Sequence, residues 1–196
     1  MKILVLAGSL SPERDVSLSS ASKIAKALIS KGNRVAVLDL YYGIPNVKDI
    51  NFTDDVCKIE DYIVPETTPE RMNTEEAECY IGKNVLKCCK MADFVFLALH
   101  GDIGENGKLQ AVLDLHKIKY TGSGYDGCLL SMNKHLAKVL VSANHIKTAK
   151  WCLNNKDNSV NFPCVVKPLG AGSSIGISMV ENAEELDDAI HEAKKY

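Results

Sequence analysis

The run Ile3-Leu4-Val5-Leu6-Ala7, followed by Gly8-Ser9-Leu10-Ser11-Pro12-Glu13, decides the fold class. Five consecutive apolar residues ending in a glycine describe a strand buried on both faces, as in a parallel sheet, rather than the alternation of a half-solvated one. Outward from it, Ala21, Ile24, Ala25, Leu28 and Ile29 recur at helical spacing, and Gly32 stops that helix. Arg34 to Leu40 is a second strand, so the chain opens as a βαβ unit. The run Asp93-Phe94-Val95-Phe96-Leu97-Ala98-Leu99 is a third strand, ending at His100-Gly101. That is the carboxyl end, where open α/β sheets place their ligands. A helix with Leu109, Val112, Leu113 and His116 on one face is expected after it. Residues 41–72 hold a short strand-like Tyr62-Ile63-Val64 and the loop markers Pro65 and Pro69; Thr74 is placed to cap a helix from Glu75 to about Lys90.

The remaining composition excludes several classes. The 196 residues suffice for one large domain or one and a half small ones. Lys and Arg total 23 against 25 Asp and Glu, a formal net charge of -2, so there is no basic nucleic-acid surface. No apolar run approaches the ~18 residues of a membrane span, and the short apolar start with one lysine is a strand rather than a signal peptide. The 7 Cys are odd in number, scattered and without Cys-x-x-Cys. That fits reduced thiols and a cytoplasmic protein rather than a disulfide framework or a zinc site.

Beyond Tyr120-Thr121-Gly122-Ser123-Gly124 the order changes, which divides the chain into residues 1–122 and 123–196. A helix over about Asn133–Asn144 precedes three expected strands: Thr148–Leu153, Pro163–Lys167 and Ile175–Val180. The last two are joined only by Pro168–Ser174, too short for a parallel crossover, so they form an antiparallel pair. Asn182 with Glu185 makes a capping box for a last helix.

The link Lys167-Pro168-Leu169-Gly170-Ala171-Gly172-Ser173-Ser174-Ile175-Gly176 carries the most chemistry. Glycines let backbone N–H groups approach an anion, and a lysine closing an apolar strand adds a point charge, which together suit a triphosphate. The bland reading is a flexible hairpin tip. The link is not a Walker A loop, because it lacks the Gly-Lys-Ser/Thr ending and leads into a strand. Gly122, Gly124 and Gly127 fit G-x-G-x-x-G, the mark of a dinucleotide-dependent oxidoreductase. Such a site wants an acid about 20 residues further on, and no Asp or Glu occurs between Asp126 and Asp157. His100-Gly101-Asp102-Ile103-Gly104-Glu105-Asn106-Gly107 is either a plain βα loop, with Asn106 capping the next helix, or a ligand site. Ser11-Pro12-Glu13 is either a helix start or, at the same sheet edge as His100, a carboxylate for a cation. Lys134 is an exposed helix lysine or a second phosphate contact.

Taken in order, these pieces resemble one family. They are Val5-Leu6-Ala7-Gly8, Ser11-x-Glu13-Arg14-x-Val16-Ser17-Leu18, Ala98-Leu99-His100-Gly101, Gly104-Glu105-x-Gly107-x-Leu109-Gln110, Tyr120-Thr121-Gly122-Ser123-Gly124, Ser131-Met132-x-Lys134, and Val166-Lys167-Pro168 through Gly172-Ser173-Ser174-x-Gly176. The chain resembles the D-alanine–D-alanine ligases of the ATP-grasp superfamily along its whole length. The resemblance implies an α/β fold: an amino-terminal parallel-sheet nucleotide-fold domain, then an incomplete α+β ATP-grasp subdomain. It implies an ATP-dependent ligase of peptidoglycan precursor synthesis that phosphorylates one D-alanine and lets the amine of a second attack the acylphosphate. Glu13 would hold the ammonium of the first D-alanine, and His100 would contact and orient that substrate. Lys134, Lys167, Gly172, Ser173 and Ser174 would bind ATP, and Ser173 would tie the glycine loop to Glu13, making Glu13 and Ser173 the catalytic pair. The implied partners are D-alanine and ATP, with a homodimer through the amino-terminal domain and neither nucleic acid nor membrane.

Three positions depart from the family's usual pattern. Ser9 stands where a second glycine is usual, Asn133 where Asp precedes the helix lysine, and Leu169 where a polar residue follows Lys-Pro. The chain also stops before the family's adenine-binding segment and magnesium carboxylates. The expectation is therefore an amino-terminal fragment, inactive alone, with no metal ligands of its own and Mg2+ ligands beyond residue 196. Within the same class, a D-alanyl-D-serine or D-alanyl-D-lactate ligase is the alternative; a non-catalytic nucleotide-binding module is the alternative from another class.

Overall fold

The computed structural model describes residues 1–64, 79–153 and 160–196. Its contacts gather into two compact units, Met1–Tyr125 and Asp126–Tyr196.

In the first unit, β1 (Lys2–Ala7) lies between β2 (Arg34–Asp39) and β3 (Phe94–Leu97), parallel to both. Bridges at Thr53 beside Val35 and at Tyr120 beside Val95 extend the two edges. β1 is central, which is why its sequence is apolar without alternation. Ile3, Val5 and Ala7 pack with Ala21, Ala25 and Ile29 of α1 (Arg14–Ser30) on one face. Leu4 and Leu6 pack on the other face with Val85, Cys88 and Cys89 of α2 (Val85–Met91) and Leu109 and Leu113 of α3 (Lys108–Leu115). Burial pushes the Cys89 thiol up to about 12, so this cysteine is core filling rather than a nucleophile.

Three expectations in this unit need correction. Tyr62-Ile63-Val64 is not a strand: Ile63 is exposed, and the Tyr62 hydroxyl donates to Asp15 Oδ1 at 2.5 Å, which holds the segment through a side chain instead of a ladder. The helix expected from Glu75 begins at Val85; Thr74 and Glu75 lie outside the described residues. A Cβ on Gly82 would stand 2.1 Å from the Tyr41 carbonyl oxygen, and one on Gly43 would stand 2.2 Å from that of Lys83. Residues 82–84 are therefore engaged with another backbone segment, and Asn84 turns left-handed (φ 63) before the helix can start. His116 is exposed, as the residue that ends α3; Gln110 shares the buried face instead.

In the second unit, α4 (Tyr125–Met132, its first residue counted in the first unit) and α5 (Lys134–Ala143) precede a two-stranded antiparallel sheet of β4 (Cys164–Val166) and β5 (Ser178–Val180). A 3₁₀ turn (Ala183–Glu185) leads into α6 (Leu186–Ala193). The Asn182 side chain accepts from the N–H groups of Glu184 and Glu185, and the Glu185 carboxylate accepts from the Glu181 N–H and the Asn182 amide. Asn182 is the cap the sequence suggests, while Glu185 reaches one residue further back than in a capping box, to the Glu181 N–H and the Asn182 side chain. The strand expected over Thr148–Leu153 does not form. Lys138 Nζ donates to Thr148 Oγ1 and the Ala149 carbonyl, and Trp151 Nε1 donates to His135 Nδ1. Side chains of α5 thus hold this segment in place of a partner strand. Gly127 lies in the first turn of α4, where the third glycine of G-x-G-x-x-G would also lie, so what counts against a dinucleotide site is the missing acid between Asp126 and Asp157.

Candidate functional site

In the first unit the candidate residues sit at the carboxyl ends of β1 and β3. The chain leaves β1 through Gly8 and Ser9, both left-handed (φ 75 and 79), and reaches α1 through Ser11, Pro12 and Glu13. The Ser11 hydroxyl accepts from the Glu13 N–H at 3.1 Å and fixes the turn that presents Glu13. From the other side, β3 runs out through Ala98 and Leu99 to His100 and Gly101. A Cβ on Gly101, whose φ is 70, would lie 2.7 Å from Glu13 Oε2 and 2.7 Å from Ser11 Oγ. The Glu13 carboxylate therefore rests against the backbone directly after His100, where only glycine leaves room. Glu13 and His100 are brought to the same sheet edge. His100 Nε2 lies 3.3 Å from the Ser20 hydroxyl of α1, which sets the ring's lean.

Three side chains that the sequence reading quotes only as motif members, with no role, build this edge. Ser17, fully buried, accepts from the Gly8 N–H at 2.9 Å and donates to the Ala98 carbonyl at 2.7 Å, joining the ends of β1 and β3 through α1. Arg14 donates through Nη1 to the Ser9 carbonyl and pairs through Nη2 with Asp39 at the end of β2. Gln110, 3% exposed, donates through Nε2 to the Gly104 carbonyl at 2.7 Å and so pins the loop that carries His100. Each left a signal in the sequence: a serine or glutamine on a buried helix face, and a charged pair adjoining strand ends.

The second unit holds the other candidates. Lys134 opens α5, its backbone N–H donating to the Leu169 carbonyl at 3.1 Å and its ammonium to the Ala171 carbonyl at 2.5 Å. Burial first, and then the Lys167 ammonium, push the Lys134 pKa below 10.5. Two cations thus converge on the link 168–176, and an anion would relieve their repulsion. Ser173 and Ser174 are exposed, Gly172 is half-buried, and Ser173 is left-handed (φ 53).

The departures now have physical readings. Asn133 caps α5, accepting from the Leu136 N–H at 3.0 Å, a task Asp performs equally. Leu169 is used through its carbonyl while its side chain is exposed, so residue type matters little there. Ser9 adopts the positive φ that a glycine would take freely.

Comparison with known proteins adds to this geometry. Residues 2–123 match the family described as D-ala D-ala ligase N-terminus, and residues 132–196 match D-ala D-ala ligase C-terminus. The chain belongs to the D-alanine–D-alanine ligase family. A D-alanine–D-alanine ligase of Pediococcus pentosaceus is 44% identical over 211 residues, covering 100% of this chain and 60% of the relative. The solved ligase of Helicobacter pylori, at 26% identity and TM-score 0.65, is matched over 100% of this chain and 61% of its own. A D-Ala:D-Ser ligase from Enterococcus faecalis, at 27% identity and TM-score 0.67, is covered to 60%. The chain thus spans about 60% of the length of these three proteins.

Proposed function

We propose that residues 1–196 are the amino-terminal part of an ATP-dependent ligase that joins two D-alanines through an acylphosphate, for peptidoglycan precursors in the cytoplasm. The observation that carries this reading is the Glu13 carboxylate set against the Gly101 backbone at the carboxyl edge of the parallel sheet, beside His100. Its neighbour Arg14 is engaged by Ser9 and Asp39, which leaves the Glu13 charge for a ligand ammonium. Residues 1–122 would hold the first D-alanine, Glu13 taking its ammonium and His100 orienting it. Residues 123–196 would begin the ATP-binding domain. Lys134 and Lys167 would offset the phosphate charge that otherwise opposes a carboxylate, and Gly172, Ser173 and Ser174 would bind ATP with them. Catalysis of this type is alignment and charge stabilisation. Among the described residues no group of three His, Cys, Asp or Glu side chains could hold a metal ion. A homodimer through the first unit belongs to the same proposal.

The test is phosphate release from ATP, dependent on D-alanine, by a full-length protein carrying this chain; 1–196 by itself is expected to show none. Release from 1–196 alone would overturn the claim that essential groups lie outside it. The similarity to a D-Ala:D-Ser ligase favours a second reading, which the same assay addresses with D-serine or D-lactate as second substrate.

A further inference from the structure

We propose that Arg14 and Asp39 are positioning residues for Glu13, acting through the peptide of Ser9. The inference rests on the reading of Glu13 as the ammonium-holding group. Gly8 and Ser9 leave β1 in consecutive left-handed conformations, and Ser9 is fully buried without being a glycine. An L side chain avoids that region, so something must hold the Ser9 peptide there. The Arg14 guanidinium does so, donating from Nη1 to the Ser9 carbonyl at 2.9 Å. It is in turn held from two sides. Its Nη2 meets Asp39 Oδ2, and its Cζ lies 5.0 Å from the centre of the Tyr42 ring. Asp39 is fixed by the N–H groups of Tyr41 and Tyr42, which donate to its Oδ1 at 2.9 and 3.0 Å.

The pair also occupies the space over Gly8. A Cβ there would lie 2.1 Å from Asp39 Oδ2 and 2.8 Å from Arg14 Nη1. The side chains of Arg14 and Asp39 are only 18% and 16% exposed, so this is a satisfied, largely buried pair rather than a surface ion pair. Ser9 is two residues from Ser11, whose hydroxyl receives the Glu13 N–H, and the Ser11 N–H donates back to Ser9 Oγ at 3.2 Å. The chain of contacts from Asp39 through Arg14, Ser9 and Ser11 therefore ends at Glu13. Arginine is required because one fork serves two acceptors in different directions, which an ammonium cannot do with the same geometry.

The experiment uses NMR on the full 1–196 chain. Wild type should show proton contacts between the Glu13 side chain and the Gly101 α-protons. In Asp39→Asn, which keeps the size and the acceptor for Tyr41 and Tyr42, and in Arg14→Lys, those contacts should vanish while the β1–β3 amide signals persist. Adding Ser9→Gly to Asp39→Asn should bring them back, since glycine holds a positive φ without help; a pair that merely staples β2 to α1 would not be rescued this way. Retention of the Glu13–Gly101 contact in both single variants, or failure of the glycine to restore it, overturns the proposal. D-alanine titration of the same samples reads the parent hypothesis separately. Wild type should respond saturably, and the single variants should bind roughly tenfold more weakly. A wild type with the Glu13–Gly101 contact but no D-alanine response overturns the ammonium reading, and the contact data still decide the role of the pair.

Discussion

The two units solve the same problem of burying a sheet with unequal resources. In residues 1–125 the central strand has α1 on one face and α2 and α3 on the other, and Leu4, Val5, Leu6 and Ala7 are all fully buried. In residues 126–196 the buried hydrophobic side chains among the described residues are Val180, Ala189 and Ala193. Met179 and Val165, paired across β4 and β5, are 65% and 46% exposed, and Leu136, Val139 and Leu140 of α5 are also exposed. A two-stranded sheet with one covered face has little to offset its ordering entropy. The lesson is that the proposed amino-acid site stands on a frame its own sequence stabilises, whereas the proposed phosphate link stands on one that buries little.

The sharpest way to break this contrast is a matched pair of truncations. Leu6→Ala should cost about 2–5 kcal/mol in urea unfolding, as a core cavity does. Met179→Ala should stay within about 0.5 kcal/mol, as exposed positions do. Equal losses would mean the units are not as different as their burial indicates. Next in size, Ser17→Ala should cost about 1–3 kcal/mol by leaving the buried Gly8 N–H and Ala98 carbonyl short of their shared partner. Loss of hydrogen-exchange protection at Gly8 would locate that effect.

In the second unit the sign reverses. The depressed Lys134 pKa means that its charged form is disfavoured in the fold, so the penalty is present at neutral pH and disappears as pH rises through the depressed value toward 10.5. Lys134→Met should therefore leave the unliganded unit as stable or slightly more so while removing its response to ATP; calorimetry with and without ATP checks both. The smallest effect is at Tyr62. Its pKa is raised from 10.0, chiefly by the hydrogen bond to Asp15, with burial adding to it. The stabilisation is fully present below pH 10.0 and lost as pH rises through the folded value. Tyr62→Phe should be slightly less stable than wild type at neutral pH and indistinguishable from it well above pH 10.0.

Much of the fold was legible where its signals are local. An unbroken apolar run reads as a central strand, Gly32 ends α1 at φ 80, and the short link after Lys167 forces the β4–β5 pair antiparallel. What was not legible depends on groups far apart in sequence. Thr148–Leu153 has the residues of a strand, but Lys138, His135 and Trp151 decide its conformation. The late start of α2 follows from the backbone packed against Gly82, which no window around Thr74 contains. At the site, Glu13 and His100 were readable from their places at strand ends. The Ser9–Arg14–Asp39 contacts were not, because Asp39 lies a full βα unit away from the loop it braces. Ser9 looked like a departure from pattern until its φ showed what the usual glycine is for.

The division of labour between the units is the central claim, and separate titrations of isotopically labelled 1–196 with D-alanine and with ATP test it most directly. D-alanine should shift the amides of Ser11, Glu13, His100 and Gly101 and leave the second unit unmoved. ATP should shift Lys134, Lys167 and residues 170–174 and leave the β1 edge unmoved. ATP shifts centred on Gly8–Glu13, with none around Lys167, would contradict the account by making the parallel sheet the nucleotide site.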